Sequence, residues 1–358
     1  MDTNMSIEYA PQEEEDIWID QIKSLHLNGR LCDWVTTFHP QKLLCSPMPG
    51  IIHGSYNLIQ EFLFEDGTVW LLRFPRVSNV SPEYVDEKVA TEVGTLFNPN
   101  PLELGPFILM EFIEGVSLGE ALKKDDGSRL LREDIPERDV EFVYRQMANI
   151  MLRLFEIDFD RIESLPTPKT GYSVPIRPLT WKTHDILRTG GVNTFGDRAR
   201  GFSTITGYFQ YINRQDWKQF RHQPNTVIAG ELDGITTYAS LDMLKSMMPQ
   251  FVDTEYEKGP FKLICDYFSL ANMIVKSRED LTIVGVVGLE WVYAGPAQMF
   301  ASGPWWLLLN RPINTEWDFQ VEDPPEVNER YFKSQSLQEG TGGRRGKITQ
   351  APRERGGL

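Results

Sequence analysis

Apolar positions recur along this chain with two different periods, and together they predict most of the elements. Residues 12–38 carry Ile17, Ile19, Ile22, Leu25 and Leu27 as an approximate stripe, which predicts one or two amphipathic helices packed against the domain behind them. Residues 50–75 hold two strand-like runs meeting at Asp66-Gly67, a strong hairpin signal. Residues 81–96 predict a helix, with Ser81 as N-cap, Pro82 at the first helical position and acids in the first turn. The segment FNPNP (97–101) breaks it, and the apolar run Phe107–Phe112 predicts a strand ending at Glu114-Gly115. A short helix, GEALKK, should come next. Over 134–156, Val140, Val143, Met147, Ile150, Met151 and Leu154 share one face of a long amphipathic helix, a methionine-rich stripe that reads as core. Helices are expected around Phe209–Phe220 and over 238–257. Two β-branched runs, Asn272–Val275 and Leu281–Val287, flank the charged turn SREDL and predict a tight hairpin preceded by a loop. PEVNERYFKSQ suits a helix. The Gly/Arg-rich stretch after it lacks periodic apolar residues and is expected to be disordered.

Composition narrows the function classes. The 358 residues are 41% hydrophobic and 11% aromatic, enough for a large core. A formal net charge of −15 argues against nucleic-acid binding as the main role, because phosphate contacts need a basic surface. The acidic start lacks the apolar stretch of a secretory signal, and no apolar run approaches the ~18 residues of a transmembrane helix, so a cytoplasmic protein without a membrane partner is expected. Cys32, Cys45 and Cys265 show no C-x-x-C spacing and suggest neither a disulfide framework nor a zinc site. The five histidines are scattered.

Candidate chemistry gathers between Phe261 and Pro296, where polar groups stand at strand exits: Asp266, Tyr267, Asn272, Gly288 and Glu290. By the residues alone, a site and a merely solvated hairpin are equally good accounts. Gly50 and Gly54 begin the first strand of the 50–75 hairpin. Amides there would cradle a phosphate, and a plain bulge explains the glycines as well.

The order of parts resembles the aminoglycoside phosphotransferase-like family in its large fungal branch. That order is a glycine-bearing hairpin, a strand ending WLLRFP, an acidic helix, the strand GPFILMEFIEG, a long helix, a polar loop closed by Asn, a hairpin, then LEWVYAGP. The similarity spans about residues 14–335. It implies an α+β, two-lobed protein-kinase-like fold: a helical extension (1–39), a small antiparallel-sheet lobe (40–113), a larger helical lobe (114–335) and a tail (336–358). It implies ATP and Mg²⁺ as cofactors and a small-molecule hydroxyl as substrate. Gly54, Ser55, Tyr56 and Asn57 match the nucleotide-covering loop. Arg73 matches the phosphate-binding basic residue, and Glu92 its partner. Glu111 to Gly115, Phe112 included, match the adenine hinge. Asn272 matches a Mg²⁺ ligand.

The departures decide what the resemblance implies about activity. Tyr267 stands five positions before Asn272, where the catalytic Asp belongs, and Gly288 stands where the metal-holding Asp belongs. Cys265 replaces the usual His. A tyrosine with a pKa of ~10 is a poor base, and glycine offers no ligand atom. Asp266 as a substitute base and Glu290 as a substitute metal ligand would restore function. The stretch between Glu92 and Gly105 is short for the family, so the small sheet is expected to lose a strand. The resemblance therefore implies a degenerate member that is catalytically impaired, a pseudokinase. An active phosphotransferase using Asp266, Asn272 and Glu290, and a non-enzymatic scaffold, stay open beside it.

Overall fold

A computed structural model of the chain describes residues 3–54, 56–80, 82–93, 101–124, 131–132, 134–165, 176–223, 231–266 and 268–301. The elements run α1 (Thr3–Leu27), α2 (Arg30–Thr36), β1 (Cys45–Pro47), β2 (Ile52–His53), β3 (Asn57–Phe64), β4 (Val69–Pro75), α3 (Val85–Val93), β5 (Ile108–Glu111), β6 (Val116–Ser117), α4 (Leu118–Leu122) and α5 (Glu137–Phe155). They continue as β7 (Glu163–Ser164), α6 (Trp181–Gly190), α7 (Ile205–His222), α8 (Glu231–Phe251), β8 (Lys262–Cys265), β9 (Met273–Val275), β10 (Ile283–Val286), β11 (Val292–Gly295) and α9 (Ala297–Phe300). The fold is α+β with antiparallel pairing, as the sequence leads one to expect. No helix among the described residues is long and apolar enough to cross a membrane. The predicted helix after residue 320 and the Gly/Arg tail lie outside the described residues.

The chain divides into two compact units. The first holds residues 1–114, 154–268 and 285–302. Its main sheet has five strands, ordered β1-β3-β4-β5 with β2 paired to β3. The β3–β4 hairpin turns at Asp66-Gly67, where Asp66 Oδ1 accepts from the Thr68 amide (2.9 Å) and hydroxyl (2.7 Å). Alternating residues of β3 (Leu58, Phe62, Phe64) and β4 (Leu72, Phe74) meet Trp18, Ile22 and Leu25 of α1 and Leu31, Trp34 and Val35 of α2 in one buried cluster. Period-3.6 stripes on the helices and a period-2 face on the strands thus bury each other, at roughly 2 kcal/mol per large side chain. The expected stripe holds for Ile22 and Leu25, but Ile17 and Leu27 are exposed, and Trp18 takes the buried position between them. The expected loss of a strand from this sheet is not seen: it keeps five, because the short strands β1 and β2 both pair with β3; residues 94–100 lie outside the described ones.

A second sheet in this unit, ordered β7-β11-β8, carries the aromatic cluster Tyr208, Tyr211, Phe261, Trp291 and Tyr293. Helix α6 was not expected from the sequence. Thr180 caps it by accepting from the Thr183 amide (3.3 Å). Helices α7 and α8 extend beyond, or begin before, the segments that periodicity marks.

The second unit holds residues 115–153, 269–284 and 303–358, of which 125–130, 133 and 303–358 lie outside the described ones. Ser117 caps α4 through the Glu120 amide (3.1 Å). Val116 pairs with Val275 and Ser117 with Ile274. Gly115 has φ 144°, and a Cβ there would lie 2.2 Å from the Val275 carbonyl oxygen, so only glycine fits. Gln146 on α5 binds both the Leu281 carbonyl (3.0 Å) and the Ile283 amide (2.8 Å), fixing the turn after β9.

Candidate functional site

The first unit brings together a buried group of charges. Arg73 lies on β4, flanked in register by Ile59 of β3 and Ile108 of β5, so its guanidinium leaves the sheet from an inner strand. Its Nη1 donates to Glu92 Oε1 at 2.6 Å. Lys88 precedes Glu92 by one turn of α3 and shares its face. Glu290, just before β11, completes the group: its Oε1 accepts from Asn57 Nδ2 (2.7 Å) and stands 3.6 Å from both Arg73 Nη2 and Lys88 Nζ. Lys88 Nζ also donates to Asn57 Oδ1 (3.1 Å). Two cations therefore face two carboxylates, and all four side chains are buried.

Electrostatics follow from that enclosure. Burial opposes the charge on Glu290, yet Lys88 and Arg73 outweigh it and hold its carboxyl below the ordinary range. Burial dominates at Glu92 and raises it, with the Glu290 charge adding to the shift against Arg73. Burial likewise lowers Lys88 against the pull of Glu290 and Glu92. Arg73 Nε, Glu92 Oε2 and Glu290 Oε2 have no hydrogen-bond partner among the described residues.

Asp266 belongs to a different group. It comes directly after β8, and its amide donates to the Trp291 carbonyl (3.1 Å). Its Oδ1 accepts from the Tyr293 hydroxyl (3.2 Å), which meets the Tyr208 hydroxyl at 3.0 Å. The Trp181 amide, in the first turn of α6, also donates to it. The residue as a whole is exposed, but partial desolvation of its carboxyl raises its pKa to about 6 against the hydrogen bonds from Tyr293 and Trp181. Trp291 and Tyr293 lie in the aromatic cluster, with Asp266 beside Tyr293; Glu290 turns instead to Arg73 and Lys88. Among the described residues the two candidate carboxylates share no hydrogen-bond or ion-pair partner.

The remaining expected residues are spread over both units. Gly54, Tyr56 and Asn57 form the turn of the β2–β3 hairpin, closed by Gly54 N to Asn57 O (2.9 Å); Ser55 lies outside the described residues. Arg76 Nη1 holds the Gly54 carbonyl (3.0 Å) while its Nε pairs with buried Glu15 of α1. The Tyr56 hydroxyl accepts from Trp181 Nε1 (2.6 Å). Glu111 pairs in register with Trp70, and the Phe112 amide is bound to the Val69 carbonyl (2.8 Å), so this amide, expected as a hinge donor, is committed to the sheet. Gly288 has φ 71°, a left-handed backbone at which any side chain is strained. Asn272 lies in the second unit, where its Oδ1 meets the Ser269 hydroxyl at 3.4 Å. Tyr267 lies outside the described residues.

Glu290, the expected substitute metal ligand, is not free to hold Mg²⁺ in this arrangement. Among the described residues no group of three or more His, Cys, Asp or Glu side chains is placed to hold a metal ion. Glu290 is engaged by two cations and an amide, and Gly288 supplies no ligand. The sequence reasoning missed Lys88. Its i, i+4 spacing from Glu92 was the available signal, but the acids of that helix's first turn were read only as marking where it starts. Glu87 in that turn is buried too, paired to Arg198 at 2.6 Å.

No protein-family model and no curated protein matches this chain. Similar solved structures include macrolide 2'-phosphotransferase MphH from Brachybacterium faecium, in its apo form (14% identity, 88% of this chain and 84% of that chain, TM-score 0.45). A macrolide 2'-phosphotransferase type I (12%, 84% and 79%, 0.39) and a GDP complex of an aminoglycoside 2'-phosphotransferase (14%, 85% and 84%, 0.40) are also similar. At these values the likeness carries no argument about activity, and the chemistry has to be read from the residues themselves.

Proposed function

We propose that this chain is a phosphotransferase-like, kinase-like protein whose nucleotide-type site is sealed by its own ion pairs and does not catalyse phosphoryl transfer. One observation carries the proposal: the Glu290 carboxylate sits on Arg73, which the resemblance matches to the phosphate-binding residue, and on Lys88 beside it. An anion entering there has to displace a carboxylate already held by two charges and by Asn57. Phosphoryl transfer relies on cations that neutralise the transferring group, and here they are neutralised internally. Gly288 and Tyr267, at the positions where the resemblance places aspartates, support the same conclusion. The test is phosphate release and phosphorylation of a panel of hydroxylated small molecules with ATP and Mg²⁺ or Mn²⁺. No turnover above a heat-denatured control is expected, and turnover abolished by Arg73→Gln overturns the proposal.

A second account has one observation in its favour. Asp266, with a pKa of about 6, is matched to accept a proton near neutral pH, and Tyr293 and the Trp181 amide hold it in place. In this account Asp266 deprotonates the substrate hydroxyl. Turnover lost in Asp266→Asn, with a pH profile rising through about 6, would establish it.

A further inference from the structure

The cysteine spacing suggested no disulfide, yet the fold brings two of the three cysteines together. Cys32 lies on α2 and Cys45 on β1. Cys45 Sγ donates to the Cys32 carbonyl oxygen at 3.5 Å and lies 3.7 Å from Thr36 Oγ1, so the Cys45 thiol sits against the Cys32 residue itself. Both are half-buried, so a small reagent has a route to them. The supports on either side are fixed. Leu31, Trp34 and Val35 anchor α2 in the core, and β1 is held by its pairing with β3 (Cys45 with Phe64, Ser46 with Leu63). Cys265, also half-buried, lies on β8 in the other sheet, next to Asp266.

We infer that Cys32 and Cys45 form a reversible disulfide that fastens α2 to the edge strand β1, with a small-molecule disulfide as oxidant. One protein thiolate attacks the small disulfide, forming a mixed disulfide and releasing one small thiolate. The second protein thiolate attacks the protein-side sulfur and releases the other. Both protein thiol protons end on the released thiols, so two thiols and one disulfide become one disulfide and two thiols. The closed loop joins residues 13 apart, which removes freedom from the unfolded chain. Burial is the largest cause raising both thiols, Cys32 to about 11, so the thiolate is scarce at neutral pH and the exchange speeds up on going alkaline.

The full-length protein is equilibrated with oxidised and reduced glutathione at several ratios, quenched with acid, digested without reduction and mapped by mass. The expected result is a Cys32–Cys45 linked peptide with Cys265 still a thiol. The rate should rise about tenfold per pH unit between ~7 and ~9. The oxidised protein should melt higher by roughly 5 °C. Cys45→Ser should instead carry a single glutathione on Cys32 and lose the rise in melting temperature. The inference is overturned if Cys32 and Cys45 each carry glutathione without linking. It is equally overturned if the link forms only in urea, or if both thiols survive a ratio that oxidises the urea-unfolded chain.

Discussion

Replacing Glu290 by Gln tests the buried charge group through its energetics. The substitution keeps size and leaves an amide oxygen to accept from Asn57, but removes the charge. Lys88, fully buried, then keeps Asn57 Oδ1 at 3.1 Å and the more distant Glu92 charge, while Arg73 retains Glu92 at 2.6 Å. Removing one partner of a buried ion pair costs about 3–5 kcal/mol, because the other charge is left uncompensated. Lys88 can limit that loss by folding neutral. Relative to an unfolded lysine with a pKa of ~10.4, a neutral lysine at pH ~7 costs about 1.36 × 3.4, or roughly 4.6 kcal/mol. The expected loss is therefore about 3–5 kcal/mol by either route. The routes differ in pH dependence. A lysine that is neutral only in the native state leaves the unfolded chain binding more protons, so stability rises with pH by up to about 1.4 kcal/mol per unit towards ~10. Urea denaturation of Glu290→Gln, Lys88→Met and the double variant at several pH values measures this. The double variant should lie at least ~2 kcal/mol above the sum of the singles. A Glu290→Gln protein within ~1 kcal/mol of the parent, or simple additivity, would refute the reasoning.

Other consequences attach to single positions. Asp266, raised to about 6 by burial, binds its proton in the native state at pH values where the unfolded chain has lost it. Stability should fall as pH rises from ~4 through about 6, and Asp266→Asn should flatten that segment of the pH–stability curve. Tyr293→Phe removes a donor to the carboxylate and should push the Asp266 midpoint higher in a carboxyl-carbon NMR titration. Trp34, packed edge-on against Phe107 with ring centroids 4.6 Å apart, should cost about 3–5 kcal/mol on replacement by Ala, read from the urea midpoint. Gly115→Ala should destabilise the protein by more than ~2 kcal/mol, since both its φ and the Val275 carbonyl exclude a methyl; circular dichroism on heating checks it.

How far the sequence revealed this protein depended on whether a feature is local. The β3–β4 hairpin was legible because Asp66-Gly67 writes its turn into adjacent residues, and α5 because 3.6-residue periodicity runs through its whole length. Helix α6 was missed because its signal is short, a Thr180 cap within a stretch rich in Pro, Gly and Thr. The partnership of Arg73 with Glu92 was implied by resemblance, and the two side chains do meet. What Glu290 touches was not legible. Residues 57, 73, 88 and 290 converge only through the pairing of β3 with β4, the docking of α3 and the exit of the chain before β11, and nothing in their spacing records that. The Cys32–Cys45 contact is hidden for the same reason: a helix and an edge strand are joined by a connection whose path the sequence does not specify.

The measurement that bears most directly on the central claim is a calorimetric titration of the full-length protein with ATP, run with and without Mg²⁺. Nothing need be assumed about substrate. Because a ligand that binds the native state also raises its apparent stability, the same samples are melted in parallel. With Glu290 holding Arg73 and Lys88, no binding heat and no melting shift are expected at millimolar nucleotide. A Mg²⁺-dependent heat accompanied by a rise in melting temperature, both lost in Arg73→Gln, would contradict the account.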